Sequence, residues 1–93
     1  MRTIEWTSQF KRDYKRESKG SYRLVLDNLL FPVIEKLVYD QVLESCYRDH
    51  ALSGEWKDHR DCHIKPDLVL IYQKPNAKIL RLVRLGSHSE LFV

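Results

Sequence analysis

Side chains that can exchange protons are concentrated in the second half of this sequence. The histidines are His50, His59, His63 and His88. The aspartates among them are Asp49, Asp58, Asp61 and Asp67. Because histidine gains and loses a proton near neutral pH, it is the side chain best suited to general acid and base catalysis. This half of the chain is therefore where we expect any proton-transfer chemistry.

Strand geometry determines which of these side chains can act together. Asp61 and His63 are two residues apart in a segment that alternates like a strand, so both project from one face of a sheet. A tight antiparallel connection after this segment would bring His63 close to Asp67. A lone surface histidine or strand carboxylate usually contacts solvent or a lysine, which is our expectation for His59 and Asp58.

Metal binding and serine chemistry find no support in the residue spacing. Cys62 and His63 are adjacent on the predicted strand, so their side chains point to opposite faces. His59 and His63 share a face but lie roughly 13 Å apart along an extended strand. The sequence also contains no Gly-x-Ser-x-Gly elbow for a serine nucleophile. We therefore predict neither a metal site nor a cofactor.

The N-terminal part of the chain predicts a strand and a basic helix. Residues 3–6 alternate in and out, which favours a short strand. Thr7 or Ser8 can cap the following helix, predicted over residues 8–19. Gly20 then follows as a left-handed terminating residue. The outward face of this helix carries Lys11, Arg12, Lys15, Arg16 and Lys19.

A second helix is predicted from about residue 21 into the thirties, because apolar residues recur there at helical spacing. Pro32 lies inside this pattern and lacks an amide donor, so we expect a kink or a break at that point. Residues 39–54 show little periodicity and are interpreted as a linking segment.

Three strands complete the predicted fold. Residues 56–63 alternate, and residues 68–72 form a continuous apolar run typical of a central strand covered on both sides. After turn residues at 74–77, the strand 79–85 returns. The predicted class is α+β, with two N-terminal helices packed on a small antiparallel sheet in the order β-α-α-β-β-β. The first strand is expected at an edge of that sheet.

Composition indicates one ordinary globular domain. The chain has 93 residues, of which 43% are hydrophobic and 31% charged. Two cysteines are too few for a disulfide framework, and neither a secretion signal nor a membrane-spanning apolar run is visible. The net charge is +3, with basic ends and an acidic middle, which suits a polyanionic partner. We expect a cytoplasmic protein.

Three motifs in the second half resemble a known family when taken together. Residues 47–56 read YRDHALSGEW, residues 60–67 read RDCHIKPD, and residues 86–92 read GSHSELF. This combination is similar to the YafQ branch of the RelE/ParE toxin superfamily, and the predicted element order resembles the RelE-like fold. The chain is thus expected to be a single toxin domain over residues 1–93.

The resemblance implies a toxin of a type II toxin–antitoxin system. Such a toxin is an endoribonuclease that cuts mRNA in the ribosomal A site and needs no metal. Its expected partners are a cognate antitoxin, the 70S ribosome and mRNA, with no membrane. The family's catalytic positions match His50, His63, Asp67 and His88. Its substrate-binding positions match Asp61, Arg84 and Phe92, with Arg81 expected to assist.

RNA cleavage by the 2′-hydroxyl group requires a base, an acid and stabilisation of a doubly charged phosphorane. Our hypothesis is that His50 or His63 acts as the base and His88 as the acid, with Asp67 orienting one of them. Arginines would neutralise the phosphate and Phe92 would stack on a base. The basic face of the first helix would contact ribosomal RNA phosphates.

Two other functions remain open from the sequence. A ParE-like relative would inhibit DNA gyrase on the same scaffold, although gyrase inhibition needs none of the histidines. A non-catalytic module that binds RNA or protein would use the same polar face as plain surface. Ribonuclease activity, inhibition of supercoiling, or binding alone distinguishes the three.

Overall fold

The chain folds into a five-stranded mixed sheet with two helices on one face and a short helix at its C-terminal end. The structure is a computed structural model that describes residues 1–92. Its strands are β1 (Thr3–Trp6), β2 (His50–Ala51), β3 (Arg60–Lys65), β4 (Leu68–Gln73) and β5 (Ile79–Gly86). Its α-helices are α1 (Ser8–Glu17), α2 (Leu26–Val38) and α3 (His88–Leu91). The α+β class is confirmed.

The strand order β1-β5-β4-β3-β2 corrects the predicted sheet in two respects. β1 does lie at an edge, but it runs parallel to β5, whereas the other neighbours are antiparallel. The sheet is therefore mixed rather than antiparallel. A further strand, β2, pairs with β3. Two residues are too short to produce a readable alternation, so β2 was hidden in the predicted linking segment.

β3 begins later than its sequence pattern predicts. Residues Gly54–Trp56 form a turn of 3-10 helix, and Asp58 has a positive φ of 69°. This backbone is incompatible with an extended strand over 56–59. From Arg60 onward the predicted alternation is confirmed, because Cys62 is buried against the helices while Asp61 and His63 face the other way.

Different capping interactions stabilise the two ends of α1. The Thr7 side chain accepts a hydrogen bond from the Phe10 amide at 3.1 Å, which confirms the predicted cap. The helix ends at Glu17 and closes through tight turns, with the Gly20 amide donating to the Glu17 carbonyl at 3.1 Å. Gly20 does not have a positive φ, so the predicted left-handed termination is wrong.

α2 runs without interruption from Leu26 to Val38, so no break occurs at Pro32. The ring of Pro32 lies on the exposed face, where the missing amide removes one helical hydrogen bond. Burial of Leu30 and Val33 on the opposite face holds the helix to the sheet on both sides of the proline. Residues 21–25 form turns, so this helix begins later than predicted.

Two apolar clusters cover the two faces of the sheet. The larger one lies between α1, α2 and the sheet, and the smaller one comprises Val69, Ile71 and Leu91 with neighbouring side chains. β4 contributes to both, which confirms a central strand covered on both sides. Within residues 1–92, every helix falls short of the length and apolar character that a membrane span requires. The smaller cluster lies on the sheet face from which Asp61 and His63 project.

Candidate ribonuclease site

Three histidine rings and one phenylalanine ring form a row beside the smaller apolar cluster. The ring centroids of His50 and His63 are 6.2 Å apart, and those of His63 and His88 are 5.0 Å apart. The Phe92 ring follows at 6.0 Å from His88. His63 is half-buried, whereas the other three are exposed. Side chains from β2, β3, the start of α3 and the residue after it therefore meet in one place.

His50 is oriented by the backbone before it. Its Nδ1 lies 2.7 Å from the Arg48 carbonyl oxygen, and because a carbonyl can only accept, Nδ1 carries the proton. Arg48 has a positive φ of 49°, which turns this carbonyl toward the ring. The neighbouring Asp49 carboxylate accepts from the Tyr72 hydroxyl at 2.6 Å and fixes the segment to the sheet. In the neutral ring, the Nε2 of His50 is left free to accept a proton.

Asp61 lies beneath the histidines and is 3% exposed. Its Oδ1 is 3.0 Å from the Nδ1 of His50, but that N–H points to the Arg48 carbonyl, and Oδ1 has no hydrogen-bond partner among residues 1–92. Burial raises the pKa of this carboxyl above its usual 3.8, although the nearby histidines act in the opposite direction. Asp61 is thus almost inaccessible to solvent, and its Oδ1 lies against the ring of His50.

Asp67 is paired with His88 rather than with His63. Its Oδ1 accepts from both the backbone amide of His88, at 3.0 Å, and the ring Nδ1, at 2.9 Å. These two hydrogen bonds lower the pKa of Asp67, the backbone one contributing most. The ionised carboxylate keeps Nδ1 protonated and turns Nε2 away from Asp67. A capping box between Ser87 and Glu90 holds the short helix α3 that carries His88.

The two predicted phosphate-binding arginines both have carboxylate partners. Arg84 donates from Nε to the Asp13 carboxylate at 2.7 Å. Arg81 donates to Glu5 at 3.0 Å and to the Gln73 side chain at 2.8 Å. Guanidinium groups have five donor hydrogens, so both can still contact a phosphate, but neither is an unpaired cation.

Asp13 is a buried carboxylate beside the predicted phosphate-binding Arg84, and the sequence interpretation did not consider it. It is 3% exposed and accepts from the Leu85 amide at 3.0 Å as well as from Arg84 and Arg16. Burial opposes its ionisation, but the hydrogen bond from Arg84, the Leu85 amide and the guanidinium charges outweigh it and lower its pKa below 3.8. The available signal was its position three residues after Phe10, on the inward face of α1.

This arrangement separates Arg16 from the other predicted cations of the first helix. Arg16 turns inward, donating to the Leu85 carbonyl at 2.8 Å and to Asp13 at 2.9 Å. The exposed members that take no part in the ion pairs of residues 1–92 are Lys11, Arg12, Lys15 and Lys19. Four of the five predicted cations thus remain available to an external phosphate.

A possible ligand set for a metal ion exists where none was predicted. One nitrogen each from His50 and His63 and one carboxylate oxygen of Asp61 lie within 4.8 Å of one another. The buried, unpartnered Oδ1 of Asp61 is an additional reason that a cation would fit, and this N,N,O donor set suits zinc or copper. Residue spacing along β3 could not predict this set, because His50 comes from β2.

Comparison with known proteins places the chain in a class. A family model described as the bacterial toxin of the type II toxin–antitoxin system, YafQ, matches residues 2–93. The mRNA interferase toxin YafQ of Escherichia coli K12 is 38% identical over 92 residues, covering 98% of this chain and 96% of that protein. The putative toxin YafQ of Haemophilus influenzae is 39% identical over 90 residues, covering 94% and 88%.

Solved structures agree with this assignment. Crystalline YafQ from E. coli BL21(DE3) superposes with a TM-score of 0.87 at 36% identity and full coverage of both chains. YafQ in the E. coli DinJ–YafQ complex gives a TM-score of 0.82 at 34% identity, again with full coverage. A metal-bound toxin from Helicobacter pylori gives 0.81 at 45% identity, covering 99% of this chain and 100% of that one.

Fold, histidine row and motifs together define a toxin of the type II toxin–antitoxin class. Within that class, the chain belongs to the YafQ toxin family.

Proposed function

We propose that this toxin is an endoribonuclease that cleaves mRNA in the A site of the 70S ribosome and so stops translation. The observation that carries the proposal is the row of His50, His63 and His88 rings ending at Phe92. E. coli YafQ, which is named an mRNA interferase, supports the same activity for this family member. A gyrase inhibitor would have no use for three converging histidines.

The reaction uses the RNA's own 2′-hydroxyl group as the nucleophile. A base removes its proton, the 2′-oxygen attacks the adjacent phosphorus, and the bond from phosphorus to the 5′-oxygen breaks. An acid protonates the departing 5′-oxygen, which leaves a 2′,3′-cyclic phosphate and a 5′-hydroxyl. The protein must supply the base, the acid and positive charge for the phosphorane, and no external nucleophile is needed.

The hydrogen bonds to the two outer histidines support a different role for each. The Nδ1 proton of His50 is held by the Arg48 carbonyl, so Nε2 of the neutral ring is the basic atom. The Nδ1 of His88 is held by Asp67, so Nε2 is the nitrogen from which the protonated ring would donate to the leaving oxygen. His63 lies between them, where its charged form would face the phosphorane. Phe92 stacks on a base beside the scissile phosphate.

The proposal includes two classes of partner. The E. coli relative is solved in complex with DinJ, and we infer that a cognate antitoxin likewise binds and neutralises this chain. Lys11, Arg12, Lys15 and Lys19 would contact ribosomal RNA phosphates and position the toxin without reading sequence. Binding to the ribosome implies that the toxin acts in the cytoplasm.

The test is single-turnover cleavage of a translated mRNA on saturating ribosomes, read by primer extension. His50→Gln, His63→Gln and His88→Gln should each lower the rate by about 10²- to 10⁴-fold. His59→Gln is the matched control, because His59 lies outside the row, with its ring against Trp56, and should cleave like wild type.

Wild-type rates in all three row variants would end the proposed mechanism. Absence of cleavage by folded wild-type protein would end the proposed function, and supercoiling by DNA gyrase would then be measured. Inhibition of supercoiling would point to the gyrase-inhibitor class, whereas binding without either activity would point to a non-catalytic module.

A further inference from the structure

A cleft of about 600 Å³ opens beside the histidine row, and its lining includes His63 and His88 but not His50. Ligand pockets of small molecules typically enclose about 300–1,000 Å³, so the cleft has room for a nucleotide. His63 and His88 form one part of its wall. The cleft continues from them to the segment between α2 and β2, whose side chains lie outside the row of rings.

Two cations line this cleft, and neither has a carboxylate partner among residues 1–92. Arg48 and Lys65 are both exposed, and neither takes part in the ion pairs of residues 1–92. They contrast with Arg81 and Arg84, whose guanidinium groups are held by Glu5 and Asp13. The cations best placed to bind a phosphate beside His63 are therefore Arg48 and Lys65 of the cleft.

The remaining wall is suited to a nucleobase. Tyr47 and Pro66 present rings, and Leu29 and Ile64 contribute aliphatic surface. No acidic side chain lines the cleft among the described residues. Cations beside aromatic and apolar surface, without acidic groups, are the combination that binds single-stranded nucleic acid.

We propose that this cleft binds the mRNA nucleotide adjacent to the scissile phosphate. Its phosphate lies between Arg48 and Lys65, and its base lies against Tyr47. Arg48 thereby acts twice, since its carbonyl orients His50 while its guanidinium holds the substrate. This inference rests on the proposed ribonuclease function and assigns a part of the substrate to residues outside the histidine row.

An exposed cysteine in the cleft can serve as a chemical probe of whether the cleft is occupied. Cys46 lines the cleft and is exposed, whereas the other cysteine, Cys62, is buried and its thiol pKa is raised by that burial. Alkylation by iodoacetamide should therefore report on Cys46 alone. Toxin would be bound to ribosomes whose A-site codon is 2′-O-methylated, which blocks cleavage, or to ribosomes whose mRNA ends in the P site.

The expected result is that the methylated codon slows alkylation of Cys46 at least fivefold relative to the ribosome with an empty A site. Equal rates in the two complexes would overturn the inference, because the cleft would then not face mRNA. Arg48→Gln and Lys65→Gln should each lower kcat/KM for cleavage by about 10-fold or more, without changing the Kd for the ribosome with an empty A site.

Lys78→Gln is the matched control, since Lys78 precedes β5 at the opposite end from His88 and should leave kcat/KM unchanged. Urea unfolding midpoints equal to wild type would show that the Arg48 and Lys65 variants are folded. If wild type cleaves and the two variants cleave equally well, the inference fails and the proposed function stands. If wild type does not cleave at all, both fail.

Discussion

At the scale of single residues, one carboxylate fixes both the backbone and the ring of His88. Asp67 accepts from the amide and from Nδ1 through the same oxygen, so the ring has one orientation relative to β4. Asp67 itself is exposed, so it contributes to the site by orienting the His88 ring rather than by a strong buried ion pair. The acid of the proposed reaction is aligned by a residue that does not contact the reacting atoms.

Replacing Asp67 tests this alignment. Asp67→Ala removes both hydrogen bonds and should lower single-turnover cleavage by about 10- to 100-fold, because the ring is no longer held for proton transfer. Asp67→Asn keeps an acceptor oxygen and should recover part of the loss. Glu35→Ala controls for removal of an exposed carboxylate, because Glu35 lies on the exposed face of α2 outside the histidine row, and it should match wild type. Ribosome binding should be equal in all of them, and a loss of binding by Asp67→Ala would contradict the positioning role.

At the scale of elements, α1 takes the place of a neighbouring strand along the last part of β5. β1 pairs with β5 only as far as Leu82. Beyond that point the amide of Leu85 donates to Asp13, and its carbonyl accepts from Arg16. The edge of β5 is thus satisfied by side chains just before the chain reaches Gly86 and His88.

Asp13→Asn should therefore destabilise the fold. Arg84 and Arg16 would lose their shared counter-charge, at a cost of about 2–4 kcal/mol of unfolding free energy, less than for a wholly buried pair because both guanidinium groups are partly solvated. Urea unfolding at neutral pH measures this difference. Asp58→Asn makes the same chemical change at an exposed site and should alter stability by about 0.5 kcal/mol or less.

The pH dependence of unfolding provides a second measurement of the same carboxylate. Because the pKa of Asp13 is lower in the folded chain than its usual 3.8, its contribution is complete above that value and is lost as the pH falls through the folded-state pKa. Wild type should lose stability over this acid range more steeply than Asp13→Asn. Parallel pH profiles for the two proteins would exclude a stabilising role for the ionised group.

Particular elements show what the sequence could and could not predict. The apolar run of β4 and the alternation of Asp61, Cys62 and His63 are local patterns, and the structure confirms both. The parallel pairing of β1 with β5 joins residues more than seventy positions apart, and no local period encodes it. The partners of Arg84 and Asp67 depend on that long-range arrangement. For this reason the site residues were found by motif, whereas their contacts needed the fold.

At the scale of the whole molecule, the exposed cations on and just after α1 take no part in the ion pairs of residues 1–92, namely Lys11, Arg12, Lys15 and Lys19. Replacing Lys11, Lys15 and Lys19 together by glutamine should weaken ribosome binding and reduce the slope of log K against log salt by about 2–3, since fewer counterions are released. Arg16→Gln is the contrasting variant, because Arg16 is already held by Asp13 and should leave the slope nearly unchanged. An unaltered slope in the triple variant would show that these lysines do not contact ribosomal RNA.

The parallel pairing of β1 with β5 also implies an order of events in folding. β3, β4 and β5 follow one another in the sequence and pair as antiparallel neighbours, so their contacts close short loops. The contact between β1 and β5 joins residues more than seventy positions apart, so it has the larger loop-closure entropy and should form later in refolding. The strands that carry His63 and lead to His88 are therefore expected to assemble before the N-terminal strand docks.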